Sequence, residues 1–283
     1  MRSGEPAIPY LLLLLDEADT FLESCEAVNY APFDALKDVQ SIGSGRFKFV
    51  IAGLRNVVRF KRKTALKENS VLTHMRSLTV KPFCAAEART LLEEPLSYLG
   101  FRFPKNRETD ALISTIFSAA NYFPGLIQMY CEKLLETVMK DYAGYSAKDT
   151  PPYVVGEEQI KKVLAQQEIQ QQIREKFFIT LKVDNDDFYY IIALIMAFRY
   201  HDDDRNYGVS SPEDIIQTAR DYGIEKIGQM ETETVAALME EMCELNLLWS
   251  AGNGGYRFAR HSFCQMMGDS TQIDKELVNY MGE

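Results

Sequence analysis

Tyr10-Leu11-Leu12-Leu13-Leu14-Leu15-Asp16-Glu17 is the stretch whose reading decides the fold of this chain. Six apolar residues run without interruption into two carboxylates. A short continuous apolar run reads as a strand buried on both faces, as in a parallel sheet covered by helices. Leucine is not selective for strands, so a buried helix competes. The acidic pair decides for the strand, because open α/β sheets place their chemistry just beyond the carboxyl ends of the strands. Two adjacent carboxylates there can divide labour. One, Asp16, holds a magnesium ion through water, and the next, Glu17, polarises an attacking water. The bland alternative is a strand-end pair that solvates a loop.

Working outward, Phe33 to Gln40 is helix-compatible and Gly43-Ser44-Gly45 is a turn. Phe47-Lys-Phe-Val-Ile-Ala52 reads as a second strand, ending in Gly53-Leu54-Arg55-Asn56 and so placing a polar tip at the same sheet edge. Ser77 to Val80 reads as a third strand, stopped by Pro82. Strand, helix, strand, strand at this spacing predicts a parallel α/β layer. Ala85 to Gly100 carries Ala88, Leu91, Leu92, Leu96 and Leu99 on one helical stripe, with Pro95 expected to kink or divide it. Arg107 to Ala120 and Gly125 to Tyr142 read as two further helices joined by a turn at Asn121 to Pro124. A linker over 146–156 leads into a Gln-rich helix, Glu157 to Lys176.

The last hundred residues have a different pattern. Phe188 to Arg199 is a strongly apolar helix. Ser211-Pro212-Glu213-Asp214 carries an N-cap residue, a first-turn proline and early acids, all signals for a helix start. A third helix runs from Glu231 to Leu245. Leu247 to Ser250 and Tyr256 to Ala259 flank a Gly252-Asn-Gly-Gly255 tip and read as a hairpin. Three helices and a hairpin predict a winged helix. In many such folds the third helix enters the major groove of DNA. Here it carries Glu231, Glu233, Glu240, Glu241 and Glu244 with no Lys or Arg, so a protein-packing wing is expected instead.

Four stretches together resemble P-loop NTPases of the AAA+ and STAND (signal-transduction NTPase) type, over roughly residues 8–140. LLLLLDEAD resembles their Walker B motif and FKFVIAGLRNV their sensor 1 strand. HMRSLTVKPF, followed by AAEARTLLEEPLSYLGFRF, resembles the last core strand entering a helical lid. Asn121-Tyr-Phe-Pro-Gly-Leu-Ile-Gln128 resembles the lid motif that packs near adenine. The resemblance implies ATP and Mg²⁺ as cofactors, with Asp16 organising the metal and Glu17 orienting water. It also implies Asn56 or Arg55 reading the γ-phosphate, and Pro124 with Gly125 lying near the adenine. The implied organisation is the C-terminal half of an NTPase core over 1–83, a lid over 84–147, a linker and helix over 148–183, and a winged helix over 184–283.

One departure matters. The motif G-x-x-x-x-G-K-[ST] does not occur, and Gly43-Ser-Gly45-Arg46 precedes a strand rather than opening a helix, so it is no phosphate cradle. The expectation is the C-terminal portion of a longer switch ATPase that does not hydrolyse ATP alone. Its implied partners are a nucleotide, an upstream P-loop segment or a protein effector, and a homo-oligomer is compatible with the pattern. The alternatives are a non-catalytic interaction scaffold, or a DNA-loading ATPase of the same class.

Composition bounds these readings. In 283 residues, 46% apolar and 25% charged, two or three modules are expected. Net charge is −10, placed unevenly at +3 over residues 1–83 and −12 over 184–283. The acidic third repels nucleic-acid phosphates, so DNA binding is not expected. No apolar run approaches the ~20 residues of a membrane span. Five scattered cysteines without a CxxC pair, and three dispersed histidines (His74, His201, His261), give neither a disulfide framework nor a zinc site. A soluble, reducing, cytoplasmic setting is expected. The basic run Arg59-Phe-Lys-Arg-Lys63 reads as a solvated loop, and Tyr189, Tyr190, Met239 and Met242 read as core.

Overall fold

The computed structural model describes residues 10–54, 57, 60, 76, 78–141, 153–183, 186–202 and 208–283. The described residues are mostly helical, with three two-stranded sheets. Apolar side chains gather into three clusters that follow one another along the chain.

The first cluster lies under a small α/β layer. Strand β1 (Leu11–Leu15) pairs in parallel with β2 (Phe47–Ile51), Leu11 opposite Phe47 and Leu15 opposite Ile51. Two helices connect them, α1 (Asp19–Glu26) and α2 (Ala31–Ile42). The latter follows Tyr30, which turns through a left-handed φ of 63°, and carries Pro32 in its first turn. Leu15, Phe49 and Ile51 face Leu22, Phe33 and Phe60. Phe60, inside the basic run, is thus a core residue; the basic residues around it lie outside the described residues, as does His74.

Two expectations need correction here. The strand is present, but it is not buried on both faces: Leu12, Leu14 and Val50 are 56%, 67% and 50% exposed. With period two, Leu15, Phe49 and Ile51 meet the helices, and no described residue covers the even positions. Residues 78–80 form no strand, and Ser77 lies outside the described residues. A strand exists only through its neighbour's hydrogen bonds, and among the described residues β2 pairs with β1 alone. Leu78 and Val80 point into solvent, 81% and 90% exposed, while Thr79 Oγ1 donates to Glu244 Oε2 at 2.9 Å, far along the chain.

The second cluster is helical. It joins α3 (Ala85–Tyr98), α4 (Arg107–Ala119), α5 (Pro124–Asp141) and α6 (Glu157–Leu164). A two-residue parallel pairing of β3 (Phe101–Arg102) with β4 (Tyr153–Val154) closes one end. Pro95 neither ends nor divides α3. It lacks the N–H that the Leu91 carbonyl would ordinarily receive, and the Cys131 thiol of α5 donates to that carbonyl instead, at 3.8 Å. Burial pushes the thiol up to about 11, so it keeps its proton. The Gln-rich segment is two helices rather than one. It breaks at Ala165-Gln166 and continues as α7 (Gln167–Leu181). Ile169 and Ile173 of α7 lie in this second cluster.

Phe177 and Leu181, further along α7, lie in the third cluster. There α8 (Phe188–Asp202), α9 (Pro212–Asp221), the short α10 (Glu225–Gly228) and α11 (Thr232–Glu244) pack around Tyr189, Ile192, Met239 and Met242, all fully buried. Strands β5 (Leu248–Gly252) and β6 (Gly255–Phe258) form an antiparallel hairpin. Its two-residue tip, Asn253-Gly254, has φ of 51° and 75°, matching the right-handed twist of the flanking strands. Ser210 bridges to Tyr256 beside it. Two helices not foreseen in the sequence complete the cluster, α12 (His261–Met267) and α13 (Ser270–Asn279). Glu241 is not part of an acidic surface: it is 1% exposed and accepts the Tyr189 hydroxyl proton inside the core. Among the described residues no helix is long and apolar enough to cross a membrane.

The exchange of donors at Leu91 is testable by a double-mutant cycle. Cys131→Ala is expected to cost about 1 kcal/mol beyond its lost packing when Pro95 is present, by stranding the carbonyl. In Pro95→Ala, whose restored N–H serves Leu91, that extra cost disappears. Denaturant unfolding of the four proteins measures the coupling, and strictly additive values would refute it.

Candidate functional site

The carboxyl end of β1 turns abruptly. Glu17 adopts a left-handed φ of 51°, a conformation that a non-glycine residue holds only when its surroundings fix it. The fixing bonds are visible. Ala52 N–H donates to Leu15 O at 2.7 Å and Ala18 N–H donates to Ala52 O at 2.9 Å, so β2 grips the chain on both sides of the acidic pair. Asp16 Oδ1 accepts the Glu17 N–H at 2.9 Å. Ala18 is buried, while Asp16 and Glu17 are exposed. Both carboxylates therefore stand in solvent at the tip of a parallel pair, held by backbone and free to take a water or a cation.

A third carboxylate completes the tip, one that the sequence reading passed over. Asp19 Oδ2 accepts the Leu54 N–H at 2.7 Å, tying the start of α1 to the loop leaving β2. Gly53 makes the approach possible, because a Cβ there would stand 2.5 Å from Asp19 Oδ2 and 2.8 Å from a Val57 methyl. The signal was present in the sequence, a carboxylate three residues after Asp16 and a glycine directly after the second strand. Neither is informative until the two strand ends are placed side by side.

The remaining candidates fall elsewhere. Arg55 and Asn56 lie outside the described residues. Pro124 and Gly125 open α5, with Pro124 in the first turn where its missing N–H costs nothing. A Cβ on Gly125 would meet only the Lys176 ammonium, at 3.9 Å. None of the hydrogen bonds or ion pairs among the described residues connects Asp16 or Glu17 with Pro124 or Gly125. His261 receives or donates hydrogen bonds with the Tyr200 hydroxyl and the Gln265 amide, both at 3.2 Å, which is a structural arrangement.

The turn before α5 is more unusual than the proline. Asn121 and Tyr122 are both left-handed, with φ of 48° and 58°. Asparagine enters that region more readily than tyrosine, although Tyr30 adopts it as well. Tyr122 O accepts the Phe83 N–H at 3.0 Å, and Asn121, 2% exposed, accepts from Ser262 Oγ at 3.3 Å. The turn thus holds the chain entering α3 on one side and the start of α12 on the other.

A scan against protein-family models returns no match for this chain, and no curated protein matches its sequence.

The tip geometry gives one clear expectation. Gly53→Ala forces Asp19 away from Leu54, and overpacking plus a lost charge-assisted hydrogen bond should lower stability by about 2 kcal/mol. Thermal or denaturant unfolding checks it. A variant as stable as the parent would show that the tip yields freely.

Proposed function

We propose that this chain is part of a nucleotide-dependent conformational switch of the P-loop NTPase class, built from a partial α/β core, a helical lid and a winged helix. The observation that carries the reading is the placement of Asp16 and Glu17. They are adjacent, exposed and backbone-fixed at the carboxyl end of a strand in a parallel pair. In open α/β sheets that edge is where ligands bind. Helices α8, α9 and α11, hairpin β5–β6 and the Ser210–Tyr256 bridge support the winged-helix reading.

The residues present fit part of what ATP and Mg²⁺ require. Magnesium keeps several waters and takes one or two carboxylates, and only one oxygen of Asp16, Oδ1, is engaged in a hydrogen bond among the described residues. Among the described residues no group of three or more His, Cys, Asp or Glu could hold a metal, so phosphate and water would supply its other ligands. Bound ATP with magnesium would supply a transferable phosphoryl group. Asp16 would orient a metal-bound water, and Glu17 would align a water for attack, since phosphoryl transfer needs positioning more than covalent chemistry. The phosphate cradle is what the sequence lacks.

That lack, together with the irregular path of 78–80, favours a second reading, a non-catalytic scaffold that docks a protein effector. Under either reading the chain alone should release phosphate from Mg-ATP at background rate. Turnover abolished by Glu17→Gln would mean that a cradle exists. The two readings separate in hydrogen exchange. The switch predicts that Mg-ATP slows exchange at Leu15–Ala18 and that Asp16→Asn removes the effect, whereas the scaffold predicts no change.

The DNA-loading alternative is disfavoured by charge. Glu231, Glu233, Glu240 and Glu244 are exposed along and beside α11, so duplex binding should be absent at physiological salt. An electrophoretic or anisotropy titration tests this. Sub-micromolar binding lost on changing Arg257 and Arg260 would reverse it.

A further inference from the structure

A cleft of about 540 Å³ lies between the 79–83 segment and the Asn121–Phe123 turn on one side, and the end of α11, the hairpin and α12 on the other. Its volume suits a small organic ligand or the end of a peptide. Phe83, Phe123, Trp249 and Phe263 give it apolar walls. The far wall is anchored by Phe263, which stacks on Phe177 of α7 with centroids 4.5 Å apart.

Two cations line this cleft, Lys81 and Arg260. The Arg260 guanidinium makes cation–π contact with two rings, 5.2 Å from the Tyr122 centroid and 5.5 Å from that of Trp249. Neither side chain forms an ion pair or a hydrogen bond among the described residues. Both are therefore available to a ligand, unlike Arg89, Arg199, Lys133, Lys161 and Lys226, which reach carboxylates. Acids outnumber bases nearly three to one over residues 184–283, so Arg260 is not unpaired for want of partners. Cation–π contact consumes none of a guanidinium's N–H donors, which remain in a fork that matches a carboxylate. The one acid in the cleft, Glu244, receives the Thr79 hydroxyl proton. Lys81, Arg260 and Glu244 together leave a single positive charge. One carboxylate neutralises it, while a phosphate group of higher charge would face Glu244 uncompensated.

We propose that this cleft binds an apolar-bodied monocarboxylate. The Arg260 fork takes the carboxylate edge-on, Lys81 adds charge, and the aromatic walls cover the body. A free aromatic or branched acid and the C-terminal carboxylate of a peptide present the same chemistry. The inference uses neither Asp16 nor Glu17 and stands apart from the nucleotide reading.

Trp249 is the only tryptophan in the chain and is 45% exposed at the cleft, so its fluorescence reports occupancy directly. The probes are hydrocinnamate, its neutral analogue hydrocinnamide, and an acetylated tripeptide ending in Leu-Phe with a free or an amidated C-terminus. At least one of the two carboxylates should give a saturable change, about tenfold weaker for its amide and for Arg260→Gln. Lys81→Gln, on an exposed segment outside any helix or strand, should weaken binding about threefold without touching the fold. This second variant stands even if Arg260→Gln unsettles the hairpin. Tighter binding of the free acid identifies a small-molecule site, and tighter binding of the tripeptide a partner's C-terminus. Amides binding as well as acids, or both variants binding like the parent, would overturn the proposal. So would pyrophosphate displacing the acid at lower concentration than the acid itself requires, or the absence of any saturable change with both carboxylates.

Discussion

Helix α7 belongs to two cores at once, and the relation between the second and third clusters depends on it. Its buried residues, Ile169, Ile173, Phe177 and Leu181, fall every fourth position. Four residues of an α-helix turn through about 40° more than a full circle, so this stripe rotates steadily around the axis as it advances. The first two side chains enter one core and the last two enter the next. No Gly or Pro interrupts residues 167–181. Met266 of α12 packs against both clusters and reinforces the join. A relative rotation of the two would have to break the rod or empty a core, and for that reason the cleft between them has fixed walls.

Buried polar groups are handled by the same long-range economy. The Leu91 carbonyl is served by a thiol forty residues away, and Glu241 by a tyrosine fifty-two residues away. An unserved buried carbonyl or carboxylate is costly in a low-dielectric interior. Each pairing therefore restricts how neighbouring helices can slide, beyond what apolar contact alone dictates.

What was legible in the sequence follows from how local each signal is. Amphipathic helices such as α4, α9 and α11 declare themselves through spacing and caps, since Asn106 and Ser211 each cap their own helix from one turn away. The hairpin was legible because Asn253-Gly254 supplies both positive φ angles its tip requires. The third strand was misread because strand character resides in a partner, and residues 78–80 have another engagement at Glu244. The break at Ala165-Gln166 has no Gly or Pro to announce it. Helix α13 was overlooked despite a readable start, Asp269 accepting from Gln272 while Gln272 returns the bond. At the candidate site, adjacency placed Asp16 and Glu17 together in advance. The Asp19–Leu54 bond and the cation–π contact of Arg260 with Tyr122 join residues too far apart in sequence to be paired by inspection.

Tyr122 sets stability against recognition at a single position. Its left-handed backbone costs on the order of 1–2 kcal/mol relative to glycine, so a lineage selected only for robustness would drift toward glycine there. Its ring, however, is one of the two that make cation–π contact with the Arg260 guanidinium. Tyr30 bears the same backbone cost with its ring sunk in the first core, whereas the Tyr122 ring spends it on contact with a cation.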